Sequence, residues 1–317
     1  MDFNCLLYFC GGKKRIFQPL TSPQHMNKLA VLLTCFNRRE KTIAALSALF
    51  KAYENSGKNW NISVYLTDDG SSDGTSEAVK TNFPDVNILQ GDGSLYWAGG
   101  MRNSWGQAVK GDYDAYLLMN DDTNIYPHVF EAVAQTHEFT VSNYGQGGVY
   151  VGTTVDSVTK KISYGGSVFR NRFMATMRRV KPEDKPVPCQ LGNANIMWVS
   201  KNVVDQIGIL SEGYVHGMAD FDYTLKAVKK KIPVMIMPGI IGECINDHSN
   251  KYLKFFKLPL KERFRMLYNP IGFDFISQSH HMRKHFPLRF PLFLATGYFK
   301  VLFPQLYYNL LYKNRKR

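Results

Sequence analysis

Cysteine is scarce and unpaired in this chain. Its 317 residues hold five (Cys5, Cys10, Cys35, Cys189 and Cys244), an odd number without the close pairs of a zinc site or the density of a disulfide scaffold. A reducing, cytoplasmic compartment is the expectation. Long apolar runs are missing too. In the C-terminal part Arg289 and Lys300 bracket the longest one, and Pro287, Pro291 and Pro304 break it. A spanning helix needs about 18 or more apolar residues in a row, so none is expected. Internal repeats and low-complexity blocks are also absent, which excludes solenoid and fibrous classes. The opening MDFNCLLYFCGGKKR places its basic cluster after a short apolar run, the reverse of a secretory signal, so no export signal is expected. Residues 1–26 are read as an N-terminal extension, loosely held or lying before the native start, because Met26 stands directly before the first convincing strand.

With 44% hydrophobic residues the chain can bury a substantial core. Its net charge of +13 is unevenly placed. Residues 251–317 hold 14 Lys and Arg against only Glu262 and Asp274, a net +12, and the other 250 residues balance to +1. The same tail carries sixteen Phe and Tyr. Basic charge mixed with aromatics suits an anionic membrane surface. A helical pair packed on the body with a solvated basic face is the plainer alternative, and nucleic acid is not an expected partner. The expected organisation is therefore an extension (1–26), a main domain (27–250) and a basic, aromatic helical tail (251–317).

The run LAVLLT, Leu29 to Thr34, is short and uniformly apolar, as a strand covered on both faces of a parallel sheet should be. Ile43, Leu46, Phe50 and Tyr53 then recur at helical spacing. Strands are expected at Ile62 to Thr67, Val86 to Gln90 and Ala115 to Met119, separated by helices, with a Gly-rich loop over Gly91 to Gly100. Pro127 suits the first turn of a further helix. This alternation gives a doubly wound α/β sheet. After Gly147 short β-like pieces suggest mixed strands, followed by a helix Lys201 to Ile207 capped by Ser200, a helix over Met218 to Lys231 and a strand Pro233 to Met237.

Ligands of open α/β sheets bind outside the carboxyl ends of the strands. Three such ends deliver polar groups here: Thr34 to Arg38, Asp68 to Asp73, and Asn120 to Asp122. Taken singly, DDGSSDGT could be an ordinary Asx-rich turn. Asp121 and Asp122 side by side would repel one another unless a cation, a basic group or water balances them. A divalent ion is the economical choice, since hard carboxylate oxygens suit Mg²⁺ or Mn²⁺ and leave positions for phosphates. A solvated helix N-terminus would also accept the pair.

These motifs together resemble the inverting glycosyltransferases of family 2. Thr34-Cys35-Phe36-Asn37-Arg38 is similar to that family's T-x-[YF]-N-R, and Asp68 to Thr75 to its D-D-G-S-x-D-x-[ST]. Met101-Arg102-Asn103 with Ala108 to Asp112, the triplet Asn120-Asp121-Asp122, Gly192-Asn193 and Ala219 to Asp222 resemble further family segments, with Ala219 where the family often has Glu. The stretch Gly91 to Met101 is similar to rhamnosyltransferase-like members that build bacterial surface polysaccharides, and the likeness covers about residues 28–250.

The resemblance implies a GT-A fold, a doubly wound mixed sheet flanked by helices, and transfer from a UDP- or dTDP-sugar to a glycan or lipid-linked acceptor at the cytoplasmic face of the membrane. It implies that Asp69 accepts the N3 hydrogen of a pyrimidine base, with Thr34 lining that pocket. Arg38 and Arg102 would lie near the nucleotide or its diphosphate, and Asp121 would face the ribose or donor sugar. Asp122 would ligate the metal, with His248 a further ligand unless it is an ordinary surface histidine. Asp220 would be the general base; with Asp222 it could instead cap a helix start. Trp97 could stack on a sugar or serve as a hydrophobic plug. His216, His280, His281 and His285 show no organised pattern, and Trp198 reads as core. Two rivals remain: a sugar nucleotidyltransferase, which should show a Gly-rich phosphate loop after the first strand, and a non-catalytic membrane-surface adaptor, which leaves the polar strand ends unexplained.

Overall fold

A computed structural model of the chain describes residues 27–57, 59–245 and 251–313. The first half alternates strictly: β1 (Lys28–Cys35), α1 (Arg39–Asn55), β2 (Asn61–Asp68), α2 (Thr75–Asn82), β3 (Asn87–Gln90), α3 (Tyr96–Ala108) and β4 (Ala115–Met119). Then come β5 (Asn124–Ile125), α4 (Val129–Tyr144), β6 (Val149–Val151), β7 (Thr154–Val155), β8 (Ile162–Tyr164), β9 (Gly166–Asn171), β10 (Thr176–Arg179), β11 (Val187–Pro188), β12 (Leu191–Gly192) and β13 (Ile196–Ser200). They are followed by α5 (Lys201–Ile207), α6 (Ala219–Lys229), β14 (Val234–Ile236) and β15 (Gly242–Glu243). The C-terminal extension is helical: α7 (Lys251–Phe256), α8 (Leu260–Tyr268), α9 (Phe275–His285), a 3-10 turn Pro287–Arg289, α10 (Phe290–Leu302) and α11 (Pro304–Tyr307).

Eight strands form the central sheet in the order β11-β14-β6-β13-β4-β1-β2-β3. β1 runs parallel to β2 and β4, and β13 is antiparallel to both β4 and β6, so the sheet is mixed. The uniform apolar character of β1 follows from cover on both faces. Leu29, Val31 and Leu33 pack with Ala45, Leu46 and Leu49 of α1 and Val129 and Phe130 of α4. Ala30 and Leu32 join Met101 and Trp105 of α3 and Tyr223 of α6 on the other side. Trp198 lies in the first of these cores. Two small sheets flank the main one, β5-β15-β7-β8 and β10-β9-β12. The helices of the C-terminal extension enclose a third core of Phe255, Leu267, Phe273, Phe275 and Val301.

Three local expectations need correction. The Gly91 to Gly100 stretch is only half a loop, because α3 already starts at Tyr96. Ser200 precedes α5 but makes no capping hydrogen bond. Pro127 stands just ahead of the His128 N-cap of α4, outside the first turn.

Candidate active site

Four chain segments meet at the carboxyl ends of β1, β2 and β4. Asn37, at the end of β1, adopts φ 51 and locks onto the loop after β2: its backbone N–H donates to Ser71 Oγ at 2.8 Å, and its Oδ1 accepts from the Ser72 N–H at 2.8 Å. Gly70 (φ 80) and Gly74 (φ 78) supply the left-handed conformations this turn requires. Asp68 accepts from the Ser71 N–H and from the Ser76 hydroxyl, and Asp73 from the Arg39 N–H at 3.0 Å and from Thr75. Both are therefore spent on loop geometry, as an Asx-rich turn would spend them.

Asp69 does something the sequence hid. Buried after β2, its carboxylate accepts three backbone N–H groups, from Gly93 at 2.9 Å, Leu95 at 3.2 Å and Tyr96 at 2.8 Å. It caps the start of α3 from another strand. Thr34 is buried under the same helix, where a Cβ on Gly100 would collide with its side chain. Trp97 lies in the first turn of α3, half-buried, and its indole N–H donates to Asn120 Oδ1 at 2.8 Å. It braces the acidic loop.

The acid pair has a basic partner. Arg38 Nη1 lies 2.7 Å from Asp122 Oδ2 and 3.2 Å from Asp121 Oδ1, and Lys41 Nζ is 4.0 Å from Asp122. Asp121 is nearly enclosed. Burial, reinforced by Asp122 and opposed by Arg38, pushes its carboxyl up to about 7. Among the described residues its Oδ2 is buried with no hydrogen-bond partner. Cys244 Sγ lies 3.6 Å from Asp122 Oδ1. No group of three or more His, Cys, Asp or Glu arranged for a metal occurs among the described residues. The orphaned Oδ2 and the half-buried Asp122 beside it nevertheless fit a hard divalent ion held by two carboxylates, with further positions left for phosphate oxygens. His248 lies outside the described residues.

Across the site the turn after β12 links the acids to Asp220. The Asn120 N–H donates to Asn195 O at 3.2 Å, and the Ala194 N–H and Asn193 Nδ2 both reach Asp220 Oδ2 at 3.4 Å. Asp220 stands in the first turn of α6, half-buried, and burial outweighs these hydrogen bonds to raise its carboxyl above the usual range. Arg102 is committed elsewhere. Its Nη1 donates to Tyr214 O at 3.0 Å and Ser211 O at 3.2 Å, and Nε lies 3.3 Å from Glu212. It thus holds the loop leading into α6.

Asp222, the second acid of that turn, belongs to a buried network without counterpart in the sequence pattern. It meets His285 Nε2 at 2.6 Å, Lys284 Nζ at 2.8 Å and Ser211 Oγ at 2.7 Å. Burial would raise its carboxyl, but these hydrogen bonds hold it well below the usual range. His281 and His285 are thus buried between α9 and the body, contrary to their unorganised look in the sequence. No spacing rule could have paired Asp222 with residues 62 and 63 positions away.

The sequence profile of Glycosyl transferase family 2 matches residues 30–199, more than half of the chain. The chain belongs to glycosyl transferase family 2. No curated protein matches this family 2 chain significantly in sequence. Among solved structures it is similar to GalNAc-T7 with UDP, GalNAc and Mn²⁺ (TM-score 0.54, 11% identity, over 70% of this chain and 44% of that one). It is also similar to the mannosyltransferase PcManGT from Pyrobaculum calidifontis in complex with GDP-Man and Mn²⁺ (TM-score 0.52, 12% identity, over 87% and 70%). The family 2 chain thus spans less than half the length of GalNAc-T7. At these identities the likeness establishes the fold, a mixed sheet flanked by helices of the GT-A type.

Proposed function

We propose that this family 2 protein is an inverting glycosyltransferase that moves a sugar, of the hexosyl or deoxyhexosyl class, from a UDP- or dTDP-sugar to a hydroxyl of a glycan or lipid-linked oligosaccharide in surface-polysaccharide synthesis. The observation that carries it is the Asn193 to Asn195 turn, which is hydrogen-bonded to Asp220 on one side and to the Asn120 to Asp122 loop on the other. These hydrogen bonds support a reading in which a base for the acceptor and acids for the donor share one connected unit. The UDP bound by GalNAc-T7, the GDP-Man bound by PcManGT and the Mn²⁺ in both support a nucleotide-sugar and a divalent ion here.

In this reading Asp69 and Thr34 border the base pocket and Asp121 faces the ribose or sugar. Arg38 exchanges its acid partners for the diphosphate. Asp122, with Asp121 and His248, would hold Mn²⁺ or Mg²⁺, whose charge offsets that gathering on the departing diphosphate. Asp220 takes the acceptor proton as the hydroxyl attacks the anomeric carbon. A raised carboxyl is the better base, since it holds the proton more firmly near neutral pH. No covalent enzyme intermediate is required. Residues 27–250 would carry this chemistry, and the basic tail would hold the enzyme at the cytoplasmic face of a membrane.

The test is thermal unfolding with Mn²⁺ and a panel of nucleotide-sugars, paired with a transfer assay. We expect a donor-dependent stabilisation that Asp122→Ala abolishes. Asp220→Asn should keep that stabilisation and lose transfer. A wild-type protein that no nucleotide-sugar stabilises, or an Asp220→Asn variant with weakened donor binding, would overturn the assignment.

A further inference from the structure

Three exposed large apolar side chains lie on two turns far apart in sequence. One is the tip of the β9–β10 hairpin, where Phe173 is 67% and Met174 47% exposed. The other is the 3-10 turn ahead of α10, where Leu288 is 84% exposed. These segments are joined. Arg289 donates to the Met174 carbonyl, the rings of Phe169 and Phe286 meet edge to face at 5.7 Å, and the Arg172 guanidinium sits 5.4 Å from the Phe169 ring centre.

Charge follows the same map. Between Asp156 and Glu183 the chain carries seven Lys and Arg and no acid, and after Asp274 it carries no acid at all. In a chain whose body is otherwise nearly neutral, the hairpin and the last helices are thus both one-signed. Bulky apolar groups on turn tips, ringed by arginines, suit insertion among lipid headgroups, where the apolar tip leaves water and the guanidinium meets phosphate. A second copy of this chain suits the patch poorly, because a two-fold contact would set like charges against each other.

We propose that the β9–β10 hairpin tip and the Pro287–Arg289 turn form one platform that docks on an anionic lipid bilayer. The platform is tied to the acceptor side of the site. β9 pairs with β12 through Gly166 and Gly192, and Asn193 and Ala194, which follow directly, reach Asp220. Five strand steps separate Gly166 from Asn171, about 17 Å at roughly 3.3 Å per residue. A bilayer touching the tip would therefore lie on the order of 20 Å from the candidate base, within reach of an extended lipid-linked glycan. No helix among the described residues is long and apolar enough to span a membrane, so the contact is a peripheral one. The location of the acceptor in this argument rests on Asp220 being the base; the lipid contact itself does not.

The experiment is co-sedimentation of the full chain with vesicles of phosphatidylglycerol and phosphatidylcholine, against vesicles of phosphatidylcholine alone. Wild type should partition onto the anionic vesicles and be released by salt. The variant Phe173→Ser/Met174→Ser/Leu288→Ser should bind at least about tenfold more weakly, since each buried apolar side chain contributes more than a tenfold factor at full insertion. Tyr144→Ser, an exposed aromatic at the end of α4, should bind as wild type. Metal-dependent donor hydrolysis in solution should be unchanged in the triple variant, which also reports that it folds. Wild-type binding by the triple variant, indifference of the wild type to anionic vesicles, or a dimer in solution that Leu288→Ser dissolves would each overturn the platform. Vesicle binding without any donor hydrolysis would sink the proposed enzymatic reading and leave the platform standing.

Discussion

The Asp274 carboxylate accepts the backbone N–H of Gly217 at 2.7 Å, tying the C-terminal extension to the loop that leads into the helix of the candidate base. The same oxygen takes the His216 N–H at 3.3 Å, and Ser277 Oγ accepts from the Val215 N–H at 2.8 Å. Both caps of this junction are strained. Met218, before α6, holds φ 70, and Asp274, before α9, holds φ 45, conformations that non-glycine residues adopt only when their surroundings impose them. The buried Asp222 with His285 and Lys284 makes the second tie between the same two helices. The extension therefore fixes where Asp220 stands.

Asp274→Ala leaves three peptide N–H groups, those of His216, Gly217 and Ser277, without their acceptor and loosens the backbone at Met218. We expect transfer to fall by about tenfold or more from misplacement of Asp220, with donor affinity unchanged. Stability in urea should fall by about 1 to 3 kcal/mol. Asp274→Asn keeps an acceptor oxygen and should recover much of the rate. Steady-state kinetics separate the outcomes: a wild-type kcat in Asp274→Ala would show that the extension does not position the candidate base.

Much of this fold was legible because its determinants are local. The apolar runs at β1 and β4 bound their strands to within a residue, and α5 spans the expected Lys201 to Ile207, ending at Gly208 with φ 69. What was hidden depends on partners distant in sequence. The start of α3 escaped because its cap is Asp69, 27 residues upstream of Tyr96, and the local glycines argue for a loop. The destination of Arg102 is set by carbonyls more than 100 residues away. The organisation of His281 and His285 exists only once α9 docks on α6. In the acid pair the need for a counter-charge was readable from Asp121-Asp122 alone, but not that Arg38 meets it.

Arg38 and a divalent ion compete for the same two carboxylates. Arg38→Ala removes the guanidinium, leaves the buried Asp121 carboxyl without its ion-pair partner and leaves Asp122 with only Lys41, 4.0 Å away. Without added metal we expect this variant to be less stable by about 1 to 2 kcal/mol. Its gain in melting temperature on adding Mn²⁺ should exceed that of the wild type, because the ion no longer displaces an internal partner. Calorimetric scans with chelator and with Mn²⁺ measure both. Equal gains in variant and wild type would mean that the ion binds away from Asp121 and Asp122.

Lys300 sits in the core of the C-terminal extension, with its Nζ 3.6 Å from the centre of the Phe273 ring and within 6 Å of those of Phe255 and Tyr252. Burial pushes its amine down to about 8 from 10.5. A base whose pKa is lower in the folded state binds fewer protons there than in the unfolded chain. Its charging cost is therefore fully present below pH 8 and disappears as the pH rises from 8 to 10.5, so stability from this group increases across that window. Cation–π attraction to three rings returns part of the cost, which leaves a net penalty of about 2 kcal/mol at neutral pH. Lys300→Met should raise stability by about that amount at pH 7, and its urea midpoint should lack the rise that the wild type shows between pH 8 and 10. A loss of stability at pH 7 would mean that the aromatic cage holds the ammonium more strongly than burial opposes it, and the wild-type rise would then be absent as well.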